Sequence, residues 1–387
     1  MHTQTKFRLL VVRLGAMGDI LHALPAVTAL RQMHPGWIID WVVEPRWKAL
    51  LAAEGSRAEH PPSAGALVDL AQNSAQNSPS LNSWTEARPS RPVNLARPVV
   101  DRLHAAATRD WRDRPFSSQT IHEIKNLRRT LRDGDYDTVV DLQGALRSAV
   151  LGKMSGCRRL VGEMNPRESP ARWLFTERVK TAGEHVIEQD VELAAAVAGD
   201  DLKPVAPWLP VDAAAEAWVD NILPAAGAAR AVLMNPGAGW GAKRWPAERY
   251  ATVARGLMER GLRVMVNAGP GEEGLAERIV ESSGGATALS CTLEQLIALT
   301  RRVRLAIAGD TGPLHLACAL SRPVVGIYGP TDPRRNGPYG TRFRVLRSPE
   351  SRRDHTRHES PEAGLMTIAP EDVLRATDEL LTGENAE

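Results

Sequence analysis

Residues 13–26 read RLGAMGDILHALPA and raise a question of chemistry. The apolar run FRLLVV precedes them, and apolar residues follow Asp19 at helical spacing, so the pattern predicts a strand, a glycine turn and a helix opening on Asp19. Such a turn usually binds phosphate, because free N–H groups and the positive end of the helix dipole point into it. A carboxylate there would repel phosphate. Asp19 therefore needs another explanation.

A glycine loop in the second half carries a basic residue suited to binding an anion. The stretch NPGAGWGAKRWP has three glycines, which allow the backbone to approach a ligand closely, and then Lys243. The ammonium of Lys243 can reach an oxyanion as a point charge. Taken alone, the stretch also fits an ordinary glycine-rich turn with a solvated lysine.

A second loop, AGDTGPLHLACAL, has the same predicted form of strand, turn and helix. Thr311 and Gly312 offer N–H groups and a hydroxyl that suit a diphosphate. His315 lies one helical turn further along, and its side chain is expected to face the same loop as Thr311 and Gly312. The alternative is structural, with Asp310 as a helix cap and His315 as a core histidine.

Other motifs are weaker. The stretch IYGPTDPRRNGPYG predicts a stiff loop at a strand end, which also fits a purely structural turn. Asp133, Asp135 and Asp137 match the Asp-x-Asp pattern of metal-dependent sugar transferases, but they precede a strand and so lie at its wrong end. We therefore predict no metal site. Neither a complete dinucleotide fingerprint nor a P-loop occurs.

The elements that position these loops alternate between strand and helix in both halves of the chain. Residues 55–98 interrupt the first half with a stretch rich in Ser, Asn, Pro and Ala, which we interpret as a mobile surface insertion. We predict an α/β fold with Rossmann-like domains at 1–200 and 213–387, joined by a linker at 201–212. Two doubly wound domains of this kind would face each other across a cleft.

Bulk composition excludes several classes of protein. The chain has 387 residues, enough for two domains, and 48 basic against 46 acidic residues, so it lacks the charge excess of a nucleic-acid-binding protein. Its three cysteines are far apart, which indicates a reducing compartment and no zinc site. No signal peptide and no apolar run of about 18 residues occur, so we expect a soluble cytoplasmic protein.

The joint occurrence of these loops is more specific than any one of them. RLGAMGDILHALPA, YDTVVDLQGALRS, a Lys-x-Trp-Pro after a glycine loop, DTGPLHLACAL and YGPTDP follow one another in this order. The set resembles the bacterial heptosyltransferases of lipopolysaccharide core assembly, which are GT-B glycosyltransferases using ADP-heptose. Within that family it looks most like type I, which adds the first heptose to the Kdo of the inner core.

The resemblance implies roles for the residues singled out above. It makes Asp19 the catalytic base, facing the sugar acceptor rather than a phosphate, and Lys243 the lysine that contacts the donor phosphate. Further donor-binding positions would be Asp310, Thr311, Gly312, His315, Glu272, Cys291 and Gly239. The acceptor would be bound by Arg13, Arg147, Arg109 and Arg112. No cofactor and no metal are implied.

The predicted function is thus an inverting, metal-independent transfer of heptose from ADP-heptose to an anionic, Kdo–lipid A-like glycolipid. An acceptor of that kind allows peripheral contact with the inner face of the inner membrane. Two alternatives stay open. The chain could use another nucleotide sugar or a different glycan or small-molecule acceptor, or it could be a non-enzymatic nucleotide-binding module. The acid at Asp19 argues against the last alternative.

Overall fold

The computed structural model describes residues 6–52, 98–351 and 360–383. The predicted insertion at 55–98 lies outside the described residues except for Pro98, and so does most of the tail segment DHTRHES. Within the described ranges, no helix is long and apolar enough to cross a membrane.

The chain divides into two compact units, Met1–Val211 and Asp212–Glu387. The division falls near the end of the stretch that we predict as a linker, and residues 201–212 form neither strand nor helix. Each unit has its own parallel six-stranded sheet, so each is described separately.

The sheet of the first unit has the strand order β3-β2-β1-β4-β5-β6, with all neighbours parallel. Its strands are β1 (Arg8–Val12), β2 (Ile38–Val43), β3 (Arg102–Ala105), β4 (Thr138–Asp141), β5 (Leu160–Glu163) and β6 (Glu177–Val179). Its helices are α1 (Met17–Met33), α2 (Thr108–Asp113), α3 (Ser118–Asp133), α4 (Leu146–Met154) and α5 (Val186–Ala198), with 3₁₀ turns at Pro45–Leu50 and Ser169–Trp173.

The sheet of the second unit has the order β12-β11-β10-β7-β8-β9, again parallel throughout. Its strands are β7 (Ala231–Asn235), β8 (Arg263–Asn267), β9 (Thr287–Leu289), β10 (Leu305–Gly309), β11 (Val324–Tyr328) and β12 (Phe343–Arg347). Its helices are α6 (Ala213–Ile222), α7 (Ala225–Ala228), α8 (Ala247–Glu259), α9 (Glu273–Ser283), α10 (Leu293–Arg302), α11 (Gly312–Ala319), α12 (Pro333–Asn336) and α13 (Pro370–Thr382), with 3₁₀ turns at Gly241–Lys243 and Leu365–Thr367.

Counted within each unit, both sheets have the strand order 3-2-1-4-5-6 of a doubly wound Rossmann-like fold. The central strands are apolar on both faces, as in RLLVV of β1 and LAIAG of β10, because helices cover a parallel sheet on both sides. The prediction of an α/β fold with two Rossmann-like sheets is confirmed.

The carboxyl ends of the strands fix where chemistry can occur. In a parallel sheet all of these ends lie along one edge, and ligands of doubly wound folds bind there. In the first unit that edge carries the residues after β1, β2, β3 and β4. In the second unit it carries the glycine loop after β7, the turn after β8 and the start of α11 after β10.

The structure corrects some details of the predicted elements. The spacing of apolar residues in PRWKALLAA predicts a helix, but the segment forms only the 3₁₀ turn Pro45–Leu50. Helix α1 begins at Met17, so Asp19 is its third residue and not the one that opens it. Cys318 lies in the core of the second unit, as expected for an apolar helix.

Candidate active site

Asp19 lies just beyond the carboxyl end of β1, in the first turn of α1. Its Oδ2 accepts a hydrogen bond of 2.9 Å from the Ala16 N–H, and its Oδ1 lies 3.6 Å from Nη2 of Arg13. The side chain remains 32% exposed. The carboxylate is therefore held in place by a backbone donor and a cation, and it still presents a face to solvent.

Arg13 is buried beneath Asp19 and holds the start of α1 through a second contact. Its Nε donates a hydrogen bond of 3.1 Å to the carbonyl oxygen of Asp19. The indole N–H of Trp41 donates to the carbonyl oxygen of Arg13 at 2.8 Å, which fixes the backbone of that residue. The structure thus gives Arg13 an internal partner, and its predicted contact with the acceptor stays a prediction.

Asp141, at the end of β4, is a second acid near Arg13 that sequence analysis did not single out. Its Oδ1 accepts hydrogen bonds from the N–H groups of Gln143 at 2.8 Å and Gly144 at 3.0 Å, and its Oδ2 accepts one from the Ser148 hydroxyl at 2.8 Å. Burial raises the pKa of Asp141 to about 6, although these hydrogen bonds and the charge of Arg13 act in the opposite direction.

A cluster after β2 and β3 adds charged groups to the same edge. The hydroxyl of Thr108 donates a hydrogen bond to the carboxylate of Glu44. The guanidinium of Arg46 lies 4.5 Å from the ring centroid of Trp47. Partial burial, together with the charge of Arg109, lowers the pKa of Arg46. Two such cations suit an anionic ligand.

Gly15 permits the close packing of this edge. It has a φ of +144°, and a Cβ atom there would lie 2.6 Å from Nε1 of Trp47. Only glycine adopts this conformation readily, and only glycine leaves room for the indole. The first glycine of the GAMGD turn therefore seats Trp47, rather than serving a phosphate.

The other predicted acceptor residues lie on exposed helices. Arg109 and Arg112 are both on α2, and Arg112 forms an exposed ion pair of 3.2 Å with Asp113. Helix α2 is fixed to α3 by a hydrogen bond of 2.8 Å from the indole N–H of Trp111 to Glu123. Arg147 is exposed near the start of α4. The contacts around Asp19 described above do not include Arg112 or Arg147.

In the second unit, Lys243, Asp310 and His315 form one cluster. Nζ of Lys243 lies 2.5 Å from Oδ2 of Asp310, and Nε2 of His315 lies 3.2 Å from Oδ1. Burial alone would raise the pKa of Asp310, but the hydrogen bond from His315 and the charge of Lys243 outweigh it and hold the pKa well below its usual range. Asp310 thus stays ionised between two donors, which is not the helix-cap arrangement considered above.

The start of α11 lies beside this cluster. Thr311 is the residue that precedes the helix, and its hydroxyl donates to the Gly309 carbonyl at 3.3 Å instead of capping the helix. Pro313 occupies the first turn. The helix start, with its positive dipole end, is therefore not capped by the side chain of Thr311 and suits an anion.

Glu272 and Cys291 tie neighbouring loops of the second unit together. Oε1 of Glu272 accepts a hydrogen bond of 3.2 Å from the Ala238 N–H in the glycine loop. A Cβ atom on Gly237 would lie 1.9 Å from Oε2 of Glu272, so a larger residue there would displace this carboxylate from the glycine loop. Gly239, in contrast, borders open space.

Cys291 lies at the end of a chain of amide hydrogen bonds. Its N–H donates to Oδ1 of Asn267 at 3.1 Å, and Nδ2 of Asn267 donates to Oδ1 of Asn235 at 3.1 Å. Burial raises the pKa of the Cys291 thiol to about 12, so the thiol is protonated and chemically unreactive near neutral pH.

The structure thus assembles the predicted donor residues more completely than the acceptor residues. Lys243, Asp310 and His315 are in direct contact, Thr311 and Gly312 adjoin them in the chain, and Glu272 reaches the same glycine loop. On the first unit Asp19 and Arg13 are in contact. Sequence reasoning missed Arg46, which lies in the 3₁₀ turn after β2, and Asp141, which ends β4. Among the described residues, no group of three His, Cys, Asp or Glu side chains could hold a metal ion.

Comparison with known proteins finds a matching family model and similar sequences. A family model described as "Glycosyltransferase family 9 (heptosyltransferase)" matches residues 124–365. The chain is 30% identical over 348 residues to lipopolysaccharide heptosyltransferase 1 of Escherichia coli K12, covering 88% of this chain and 94% of the relative.

Solved structures give the same result for the fold. A structure described as E. coli heptosyltransferase WaaC with ADP matches with a TM-score of 0.72 and 27% identity, over 97% of this chain and 100% of the other. A structure of the same enzyme with ADP-2-deoxy-2-fluoro heptose matches with a TM-score of 0.70 and 28% identity, over 96% and 99% of the two chains.

Proposed function

The chain belongs to glycosyltransferase family 9, the heptosyltransferases, and on that premise we propose that it transfers heptose from ADP-heptose to the Kdo of the lipopolysaccharide inner core. It is a glycosyltransferase, so the non-enzymatic interpretation is set aside. The likeness to a lipopolysaccharide heptosyltransferase 1 supports this acceptor, and the likeness to structures with ADP and an ADP-heptose analogue supports this donor.

The observation that carries the proposed mechanism is the position of Asp19. Its carboxylate is oriented by Ala16 and Arg13, yet it is partly exposed at the edge where ligands of this fold bind. We assign Asp19 the role of general base. It takes the proton of an acceptor hydroxyl, whose oxygen attacks the anomeric carbon of ADP-heptose. The bond from that carbon to the phosphate oxygen breaks, ADP leaves with the electron pair, and the configuration inverts.

The departing ADP needs positive charge where its phosphate oxygen gains a negative one. The ammonium of Lys243 and the start of α11 at Thr311 and Gly312 provide it. Asp310 holds Lys243 and His315 in place and remains ionised, so its carboxylate fixes the position of the ammonium. Glu272 is proposed to bind the ribose hydroxyls, and Cys291 to line the adenine pocket. The proposed reaction uses no metal.

The acceptor is proposed to bind along the carboxyl edge of the first sheet. Arg46, Arg109, Arg112 and Arg147 supply positive charge for an anionic sugar or phosphate. An acceptor carried on lipid A would be presented by the inner face of the inner membrane, so we propose that the enzyme works in the cytoplasm in peripheral contact with that surface. Nucleic acid is not a partner in this scheme.

The test is release of ADP from ADP-heptose in the presence of de-heptosylated Kdo–lipid A. We expect acceptor-dependent release that survives a chelator. Replacing Asp19 by alanine should lower the transfer rate by about 10²–10⁴-fold, the usual contribution of a general base, and leave ADP binding nearly intact. Asp201→Ala is the matched control, because that carboxylate is well exposed and forms its ion pair with the exposed Lys203.

The possible outcomes test the base, the metal independence, the donor and the acceptor separately. Full turnover of the Asp19→Ala variant would show that another group is the base. Loss of activity on chelation would contradict a metal-independent transfer. In a donor-competition experiment, binding of UDP-sugars in preference to ADP-heptose would favour the alternative in which the fold serves another nucleotide sugar. Tight binding of ADP-heptose without turnover would point to a different acceptor.

A further inference from the structure

Large apolar side chains are exposed on one surface of the first unit. Trp173 is 70% exposed, and Leu146, Val150 and Met164 are each between 41% and 45% exposed. These four residues, here called the α4 surface, fall within a short stretch of the chain. Single exposed apolar residues are ordinary, but a group of them marks an interaction site.

The α4 surface is held together by the fold. Leu146 and Val150 lie one turn apart on α4, and the 3₁₀ turn that ends at Trp173 packs against this helix. The carboxylate of Glu168 accepts a hydrogen bond of 2.8 Å from the Leu146 N–H. Ala171 is buried beneath the 3₁₀ turn. Trp173 is therefore exposed on a fixed backbone.

Basic residues are concentrated in the same stretch of the chain as these apolar side chains. Between residues 146 and 180 the chain has eight Lys and Arg but only three Asp and Glu, whereas the whole chain is nearly balanced. Lys153 and Arg172 are both exposed, and the guanidinium of Arg172 lies 5.8 Å from the ring centroid of Trp173. The α4 surface is thus both apolar and positively charged.

We propose that the α4 surface docks on an anionic lipid bilayer. Tryptophan suits the boundary between headgroups and acyl chains because its ring is apolar and its N–H is polar, and the basic residues attract anionic headgroups. A second copy of this chain is a poorer occupant, since it would bring two positively charged surfaces together.

The position of the α4 surface relates membrane docking to the proposed acceptor site. Leu146 follows the loop after β4, and Met164 directly follows β5. Both residues therefore lie at the same edge of the sheet as Asp19. Docking would bring that edge close to the headgroups, where a lipid-linked sugar is presented. This purpose rests on the proposed function, but binding to lipid does not.

The experiment is flotation of the full-length protein with vesicles that contain no acceptor. Vesicles of phosphatidylcholine alone are compared with vesicles enriched in phosphatidylglycerol. We expect binding to the anionic vesicles that weakens as salt is raised. The double variant Val150→Ser/Trp173→Ser should lose about tenfold or more in partitioning, from lost apolar burial. Lys153→Gln and Arg172→Gln should each lose about fivefold.

The control is Met366→Ser, which removes an exposed apolar side chain from the second unit. It should bind vesicles as the wild type does. Equal binding of Val150→Ser/Trp173→Ser and Met366→Ser, or no preference for anionic vesicles, would overturn the proposal. A change in oligomeric state of the double variant without a change in vesicle binding would overturn it in favour of contact between copies. Transfer to a lipid-free acceptor fragment reports on the proposed function separately.

Discussion

Replacing Asp310 by asparagine tests the central electrostatic contact of the second unit. The side chains of Lys243 and Asp310 are only 15% and 7% exposed, so the substitution leaves a largely buried ammonium without its counter-ion. Breaking a fully buried ion pair costs about 3–5 kcal/mol. Because the asparagine oxygen can still accept one hydrogen bond, we expect the lower end, a loss of about 3 kcal/mol in the free energy of unfolding.

The assay is hydrogen–deuterium exchange of peptides covering β10 and α11 at increasing urea concentration, which reports on the second unit within the full chain. The control is Asp378→Asn, since the pair of Asp378 with Arg260 is well exposed and should contribute less than about 1 kcal/mol. A double-mutant cycle with Lys243→Met should give a coupling of about 1.5–3 kcal/mol. Additive effects of the two substitutions would refute the assigned contact.

The pH dependence of this effect has a definite sign. The pKa of Asp310 is lowered in the folded chain, so its contribution to stability is complete above about pH 4, the range of an unfolded aspartate, and is lost as pH falls toward the folded value. The difference between wild type and Asp310→Asn should therefore shrink on acidification below about pH 4. A difference that is constant from neutral to acid pH would contradict the charge-based explanation.

Three further predictions follow from single residues. The pKa of Asp141 is raised to about 6, so wild type should lose about 2 kcal/mol of stability as pH rises from about 4 to 6, and Asp141→Asn should lose this dependence in urea unfolding. Gly15→Ala, which forces a methyl group against Trp47 at a φ of +144°, should destabilise the first unit by about 2–4 kcal/mol, whereas Gly36→Ala, with open space around it, should not. Glu272→Gln should weaken ADP binding about tenfold by calorimetry, and unchanged affinity would contradict its assignment to the ribose.

The sequence predicted the central strands because burial on two faces leaves a simple pattern. Strands such as RLLVV and LAIAG are continuous apolar runs followed by glycine turns, and these were identified. The short strands β3, β5, β6, β9 and β12 were not predicted. β6 reads ERV and is only partly buried at an edge of its sheet, so neither composition nor alternation distinguishes it from a loop.

The candidate site was predictable to the level of loops but not of contacts. The family resemblance grouped Lys243 with Asp310 although 67 positions separate them, and the structure brings the two side chains together because β7 and β10 are neighbouring strands. The ion pair itself depends on how the glycine loop folds back. Arg46 was missed because no motif marks it; its interest comes from its stacking on Trp47, which only the structure shows.

The two helix starts that looked alike in the sequence differ in what occupies them. At α1 the carboxylate of Asp19 accepts the Ala16 N–H, so a negative charge already lies where a phosphate would bind. At α11 the Thr311 hydroxyl turns back to Gly309, and Lys243 lies beside the helix start. The same strand–turn–helix form thus disfavours a phosphate at the start of α1 and favours one at the start of α11. That asymmetry is what a transferase needs, since the base must meet a neutral hydroxyl while the leaving group must meet positive charge.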